Sequence, residues 1–330
     1  MRAAVAKKEN VERLRGEPLT WKRFLKGLER GKYVYMMLLP VMAWYIIFCY
    51  VPMYGVIIAF RDYIPGQSFS SGEWVGFKYF ISFFESPFFL RTIKNTVLLN
   101  LWDLAFGFPA PIILALVLNE IRAAWFKKLV QTITYLPHFV ALVVIIAIVK
   151  DVLASDGLFN EINKWFQITF SGLEPSAYKP VMYLDKSEYF RPIYVFSGIW
   201  QGIGWGSIIY LSALSGIDTQ LYEAANMDGA GRFRKIWNIT LPGIAPTVVI
   251  LLIFAVGGIF SSGFEKIILL YKPLTYEVSD VVATYVYRKG LEEAQFSFST
   301  AVGLFNTVIN FILLITVNKI SRRLTETSLW

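Results

Sequence analysis

Long apolar runs alternate with short polar segments along this chain, and the runs themselves carry no regular polar face. Six of them, over residues 33–60, 95–118, 129–150, 192–215, 243–263 and 298–318, each extend for 20 or more mainly apolar residues. A helix rising ~1.5 Å per residue crosses a hydrocarbon layer of ~30 Å in about 20 residues. Helices in a soluble core keep a polar stripe toward water, and residues 143–149 and 247–254 show none. The pattern therefore predicts an all-α polytopic membrane protein with six transmembrane helices. Its segments are an N-terminal stretch 1–32, a first span 33–60, a region 95–318 holding spans two to six with a polar loop at 214–242, and a tail 319–330.

Composition agrees with that reading. Hydrophobic residues make up 55% of the 330 and aromatics 17%, while charged residues make up 17%, below the ~25% of soluble domains. Mean hydropathy is +0.50. The first run follows 32 mostly polar residues and lacks a small-residue cleavage site, so it reads as a retained span rather than a signal peptide. With the N-terminus in the cytosol, the segments on that side hold 19 Lys/Arg in 82 residues, against 13 in 110 on the other. This is the bias that the positive-inside rule requires, and it predicts two cytosolic termini.

The formal charge of +8 then follows from topology and attraction to anionic headgroups. No basic stripe with interleaved stacking aromatics accompanies it, which argues against nucleic-acid binding. Residues 21–30 form a basic amphipathic stretch, suited to the inner interface or to an ordinary flank.

Missing motifs narrow the chemistry. There is no phosphate loop, no His-Glu-x-x-His and no Gly-x-Ser-x-Gly, so ATP hydrolysis, zinc hydrolysis and serine catalysis are not expected of this chain. One cysteine, Cys49, and one histidine, His138, leave no disulfide or metal framework. No cofactor is expected on the chain itself. His138 follows Pro137 at the expected start of the third span, where a capping or interfacial role fits. Asp103 is the one acid well inside an expected span; it either lines a polar path or pairs with a neighbouring helix. Gly198, Gly202 and Gly206 recur every four residues in the fourth span, as helix packing or a cavity wall would require.

The loop between the fourth and fifth spans breaks the apolar pattern most sharply. Asp218 and Thr219 supply caps for a short helix over 217–227, and Gly229 and Gly231 permit a turn. A second short helix is expected over 232–241, closed by Pro242 before the next span begins. Ala224, Ala225 and Gly229 allow another protein to approach closely, while Glu223 and Asp228 offer charge-assisted hydrogen bonds.

The spacing Glu223-Ala224-Ala225, three residues, Gly229, nine residues, Ile239, one residue, Leu241-Pro242 resembles the EAA loop of permease subunits in binding-protein-dependent ABC importers. Residues 95–100, 106–112, 119–122, 135–138 and 264–271 are similar to the branch that carries complex sugars and polysaccharide fragments. The resemblance implies a five-helix core in spans two to six plus an added N-terminal helix, in a bacterial or archaeal cell membrane.

It also implies a non-catalytic translocation subunit. Glu223, Ala224, Ala225, Asp228, Gly229, Ile239, Leu241 and Pro242 would then couple it to a cytosolic ATPase that binds ATP and Mg. A second permease subunit and an extracytoplasmic solute-binding protein would complete the assembly. Asp103, Trp200, Trp205, Tyr210, Asn306 and Asn310 are candidate residues of a sugar path, offering stacking faces, amides and hydroxyls. A secondary transporter or channel acting without an ATPase is the alternative.

Overall fold

Hydrocarbon offers no water to unpaired backbone groups, so a chain this apolar satisfies them within helices. The computed structural model describes residues 31–325 except 173, 261 and 262. The expected N-terminal stretch 1–30, including the basic segment 21–30, and the end of the tail lie outside these residues. Among the described residues the regular structure is all helix, with one isolated bridge between Arg61 and Trp74 and no strand. The chain falls into two units divided after Ile57.

Helix α1, Lys32–Phe60, contributes the first unit. None of residues 31–57 is buried. The second unit holds α2 (Lys78–Glu85), α3 (Phe89–Glu120), α4 (Ala124–Phe139), α5 (Leu142–Val152) and α6 (Leu158–Ser171). After these come α7 (Ser187–Ser215), α8 (Thr219–Met227), α9 (Arg232–Gly257), α10 (Phe264–Leu270) and α11 (Phe296–Thr325).

Four helices, α1, α3, α9 and α11, have both the length and the apolarity to cross a membrane. The expected third span, 129–150, is not one straight helix: α4 and α5 meet at 104°. The cause is a 3-10 turn at Leu136–Phe139 followed by extended backbone at Val140 and Ala141. The expected fourth span lies within α7, which has 29 residues. Its Ser, Gln, Tyr and Gly positions make it less apolar than the four, and it occupies the centre of the unit against α3, α4, α5, α9 and α10. Six uniform apolar rods are thus replaced by four apolar helices, one bent pair and a central polar-flecked helix.

Proline sets the detail of three helices. Widened π-turns at Ile46–Tyr50, Asp103–Gly107 and Ile236–Thr240 each end two residues before a proline, at Pro52, Pro109 and Pro242. A proline has no N–H and its ring presses on the carbonyl four residues back. Widening the preceding turn moves that carbonyl aside, and the helix continues. The expectation that Pro242 closes a separate helix is corrected accordingly, since Arg232–Gly257 is one helix running through it.

Three buried clusters hold the second unit together. Leu99, Ile146, Tyr194, Val195 and Ile267 join α3, α5, α7 and α10. Phe83, Phe260, Tyr285, Phe298 and Val302 form an aromatic cluster around α2 and α11, with Phe83 edge-on to Phe89 at 5.0 Å between centroids. Such contacts add about 0.5–1.5 kcal/mol beyond burial. Ala115, Tyr210, Leu214 and Ile244 join α3, α7 and α9 near the polar loop.

The opposite end is tied by polar contacts. Tyr63 N–H donates to Ser297 at 3.0 Å, Lys272 pairs with Asp185 at 2.7 Å, and the Tyr79 hydroxyl donates to Asp62 at 2.7 Å. That bond holds the Asp62 carboxyl below its ordinary range, and burial together with the same bond pushes the Tyr79 phenol up to about 12.

Asp280 is fully buried and takes Arg288 at 2.7 Å and Arg91 at 3.1 Å, with Thr284 donating to its second oxygen at 3.0 Å. Asn95 donates to the carbonyls of Glu277 and Asp280. Asp280→Ala leaves two half-buried guanidinium groups without their shared partner. The expected loss is about 3–5 kcal/mol, read as a fall in thermal unfolding midpoint and yield of the purified protein; an unchanged midpoint would contradict this role.

Candidate functional site

The face of α7 that carries its glycines opens onto a cavity of about 520 Å³. Tyr194, Gly198, Gly202, Gly206 and Tyr210 recur every four residues, one helical turn apart, and all line it. Each glycine does something different. At Gly202 an added Cβ meets nothing, so its missing side chain is cavity space. At Gly206 a Cβ would stand 2.9 Å from the Pro111 ring of α3, and at Gly198 2.7 Å from Lys266 Nζ. Off this stripe, Gly204 lets the Thr134 backbone of α4 press against α7.

Charge enters the cavity from two sides. Asp103 begins the π-turn of α3, and Gly107 leaves the room its carboxylate occupies, since a Cβ there would lie 2.5 Å from Oδ1. Lys266, on α10, donates to the Tyr194 carbonyl and sits 4.5 Å from the centre of the Tyr194 ring. Asp103 and Lys266 line the same cavity without closing an ion pair. Asn100 and Gln201 add amides to the wall. The cavity therefore offers an amine, a carboxyl group, amides and phenol rings in an otherwise apolar wall.

The candidate path residues separate. Asp103 and Tyr210 line this cavity. Trp205 turns away from it and stacks flat on His138, 4.5 Å between centroids and 5° between planes, so His138 sits at the α4–α5 bend rather than capping a helix start. Trp200 lines a separate apolar groove. Asn306 and Asn310 serve the backbone: Asn306 donates to the Phe260 carbonyl at 2.8 Å, and Asn310 accepts from the Phe260 N–H at 3.0 Å. They hold the chain where α9 has ended. Asn100, Tyr194, Gln201 and Lys266 were not anticipated as wall residues. The four-residue glycine repeat was the available signal for Tyr194, whereas Lys266 arrives from a different element.

At the far end of α7 the polar loop forms a hairpin of two helices. Asp218 caps α8 by accepting from the Gln220 N–H at 2.9 Å. Gly229 turns the chain with φ +70°, a region that disfavours other residues. Two contacts brace the hairpin against α9, Tyr222 to Thr240 at 3.0 Å and Lys235 to Asn226 at 2.8 Å, and the Ala230 N–H donates to the Ala225 carbonyl at 2.9 Å to close the end of α8. Ile217 fills the space beside Gly243. Glu223, Ala224, Asp228, Gly229 and Pro242 are exposed, while Ala225, Ile239 and Leu241 are half-buried. Met227 and Phe233 stand 89% exposed, an apolar tip such as a partner's groove covers.

The glycines of α7 give a stability test. Gly204→Ala forces the Thr134 backbone away, with an expected cost of about 1–3 kcal/mol. Gly202→Ala meets open space and gains about 0.5–1 kcal/mol from the lower flexibility of the unfolded chain. Thermal unfolding of the two purified variants should move in opposite directions; equal shifts would contradict the packing assigned here.

Comparison with known proteins gives a consistent family. Residues 107–326 match the family described as the binding-protein-dependent transport system inner membrane component. The chain is 44% identical to the polygalacturonan/rhamnogalacturonan transport system permease protein YteP of Bacillus subtilis (strain 168), over 94% of each chain. It is 41% identical to protein LplB of the same organism, over 96% of this chain and 95% of that one. Among solved structures it is similar to a chain of a bacterial ABC transporter involved in import of the acidic polysaccharide alginate. There the TM-score is 0.83 at 42% identity, over 92% of this chain and 99% of that one. A structure of the alginate transporter in complex with its alginate pentasaccharide-bound periplasmic protein matches with TM-score 0.83 and 43% identity, over 93% of this chain and 100% of the other. By its family match, its near-full-length relatives and its fold, the chain belongs to the binding-protein-dependent transport system inner membrane components.

Proposed function

We propose that this chain is the permease subunit of an ATP-driven importer of oligosaccharides, forming half of the translocation path. It receives energy from a separate cytosolic ATPase through residues 214–242. The observation that carries the coupling role is mechanical: the exposed hairpin is braced to α9 and continuous with it, so a force on its tip moves a membrane-crossing helix as one body.

Glu223, Ala224, Ala225, Asp228 and Gly229 form the docking surface in this reading, and Ile239, Leu241 and Pro242 the junction with α9. ATP and Mg stay on the ATPase. A second permease subunit supplies the other half of the path, and a solute-binding protein delivers sugar at the end where Tyr63, Ser297, Asp185 and Lys272 meet. The distribution of Lys and Arg supports a cytosolic position for both termini in this reading.

The cavity of α3, α7 and α10 is then the sugar's passage. Tyr194 and Tyr210 present ring faces and hydroxyls, while Asn100 and Gln201 present amides. Relatives named for polygalacturonan and alginate support a saccharide substrate. A carrier acting without an ATPase would have no use for a rigid exposed hairpin at this place.

Gly229→Trp tests the coupling role, because a bulky side chain at a close contact costs about 1–3 kcal/mol, roughly ten- to a hundredfold in affinity. The expected result is loss of ATPase co-purification and of sugar uptake. Gly172→Trp is the control, since Gly172 has φ +66° and equally open surroundings; it should leave both intact. Normal assembly and uptake with Gly229→Trp, or equal loss in the control, would overturn the assignment.

A further inference from the structure

Helix α6 is amphipathic in the opposite sense to a helix of a soluble protein. Leu158, Phe159, Ile162, Trp165, Phe166 and Phe170 fall in one stripe at helical spacing, and each is more than half exposed. The other side carries Asn160, Asn163, Lys164 and Gln167, and these are the less exposed positions.

Asn160, 1% exposed, is the anchor. Its amide donates to the carbonyls of Ala154 at 2.7 Å and Val181 at 3.0 Å, and its oxygen accepts from the Val181 N–H and the Tyr178 hydroxyl, both at 2.8 Å. Every hydrogen-bonding position of that side chain is used. The helix is thus held to the unit by its polar side, with its apolar stripe facing outward.

We infer that α6 lies in the plane of the membrane as an interfacial helix, with its stripe inserted among the lipid acyl chains at the end of the unit remote from the 214–242 loop. Continuity with the membrane-crossing surface selects lipid over a protein partner. Helix α5, which leads into α6, exposes Val143, Val144 and Ile148. Between α5, α6 and α7 runs a groove of about 760 Å³ whose wall, including Ile148, Val152, Phe159, Phe196 and Trp200, is almost wholly apolar. Acyl chains alongside α5 therefore reach the stripe without crossing polar surface.

Trp and Phe at such a position suit the boundary between headgroups and hydrocarbon. The polar side meets the protein and Asn160 fixes the register. Anchored this way, α6 sets the depth at which the start of α7, and so the mouth of the glycine-lined cavity, sits in the bilayer.

Site-directed spin labelling of the assembled complex in lipid vesicles tests this. Cys49 is the single cysteine, so Cys49→Ser provides a label-free background. Nitroxides are then placed at Ile162→Cys, Phe166→Cys and Phe170→Cys on the stripe, and at the exposed positions Glu161→Cys and Ser171→Cys off it. The expected result is several-fold higher collision with oxygen, and several-fold lower collision with a water-soluble nickel chelate, at the stripe than off it. Equal access of the chelate to both sets would place the stripe in water and overturn the inference. Exclusion of both reagents from the stripe would show a protein cover and overturn it as well. Three stripe positions keep the comparison open if one labelled variant fails to assemble.

Discussion

A backbone that sits in hydrocarbon must hydrogen-bond to itself, and every irregular feature here is an answer to that requirement. Prolines that remove a donor are absorbed by π-turns just before them, at Asp103–Gly107 and Ile236–Thr240 in the second unit. Where α9 ends, two asparagines of α11 reach across to both polar groups of Phe260. At the buried turn beside α3, Asn95 does the same for the carbonyls of Glu277 and Asp280. Side-chain amides at Asn95, Asn306 and Asn310 replace the water that a soluble fold would use.

The same economy shapes the cavity. A central helix packed against five others turns much of its surface inward, and that face can carry polar and small residues that a lipid-facing surface cannot. Its glycines are distributed between two tasks: Gly204 and Gly206 let neighbours close in, while Gly202 keeps a volume open. Asp103 and Lys266 bring a carboxyl group and an amine into one wall. The arrangement leaves a few polar groups in a cavity whose wall is otherwise apolar.

Mechanical continuity links that cavity to the loop. Helix α7 carries the glycine stripe and ends at the hairpin, and α9 begins in it. Tyr222, Lys235 and Ile217 fasten the hairpin to α9, and Tyr210, Leu214 and Ile244 join α7 to α9 just beyond. In the proposed coupling role, displacement of the exposed tip would reach two walls at once. A flexible connector would dissipate it in loop motion.

From the sequence alone came the properties fixed by local chemistry and composition: an all-helical membrane chain, the positions of its apolar runs, and the loop whose seven spaced residues carry the family resemblance. These are legible because hydrophobic run length and turn chemistry act over a few residues. Which way a side chain points was not legible. Trp205 and Asn306 have the right chemistry for a sugar, yet one stacks on His138 and the other holds Phe260, because helix rotation is settled by neighbours distant in sequence. Lys266 entered the cavity unannounced for the same reason. The 104° bend between α4 and α5, the run of α9 through Pro242 and the outward stripe of α6 likewise depend on the packing of whole elements. Only the tertiary structure decides that packing.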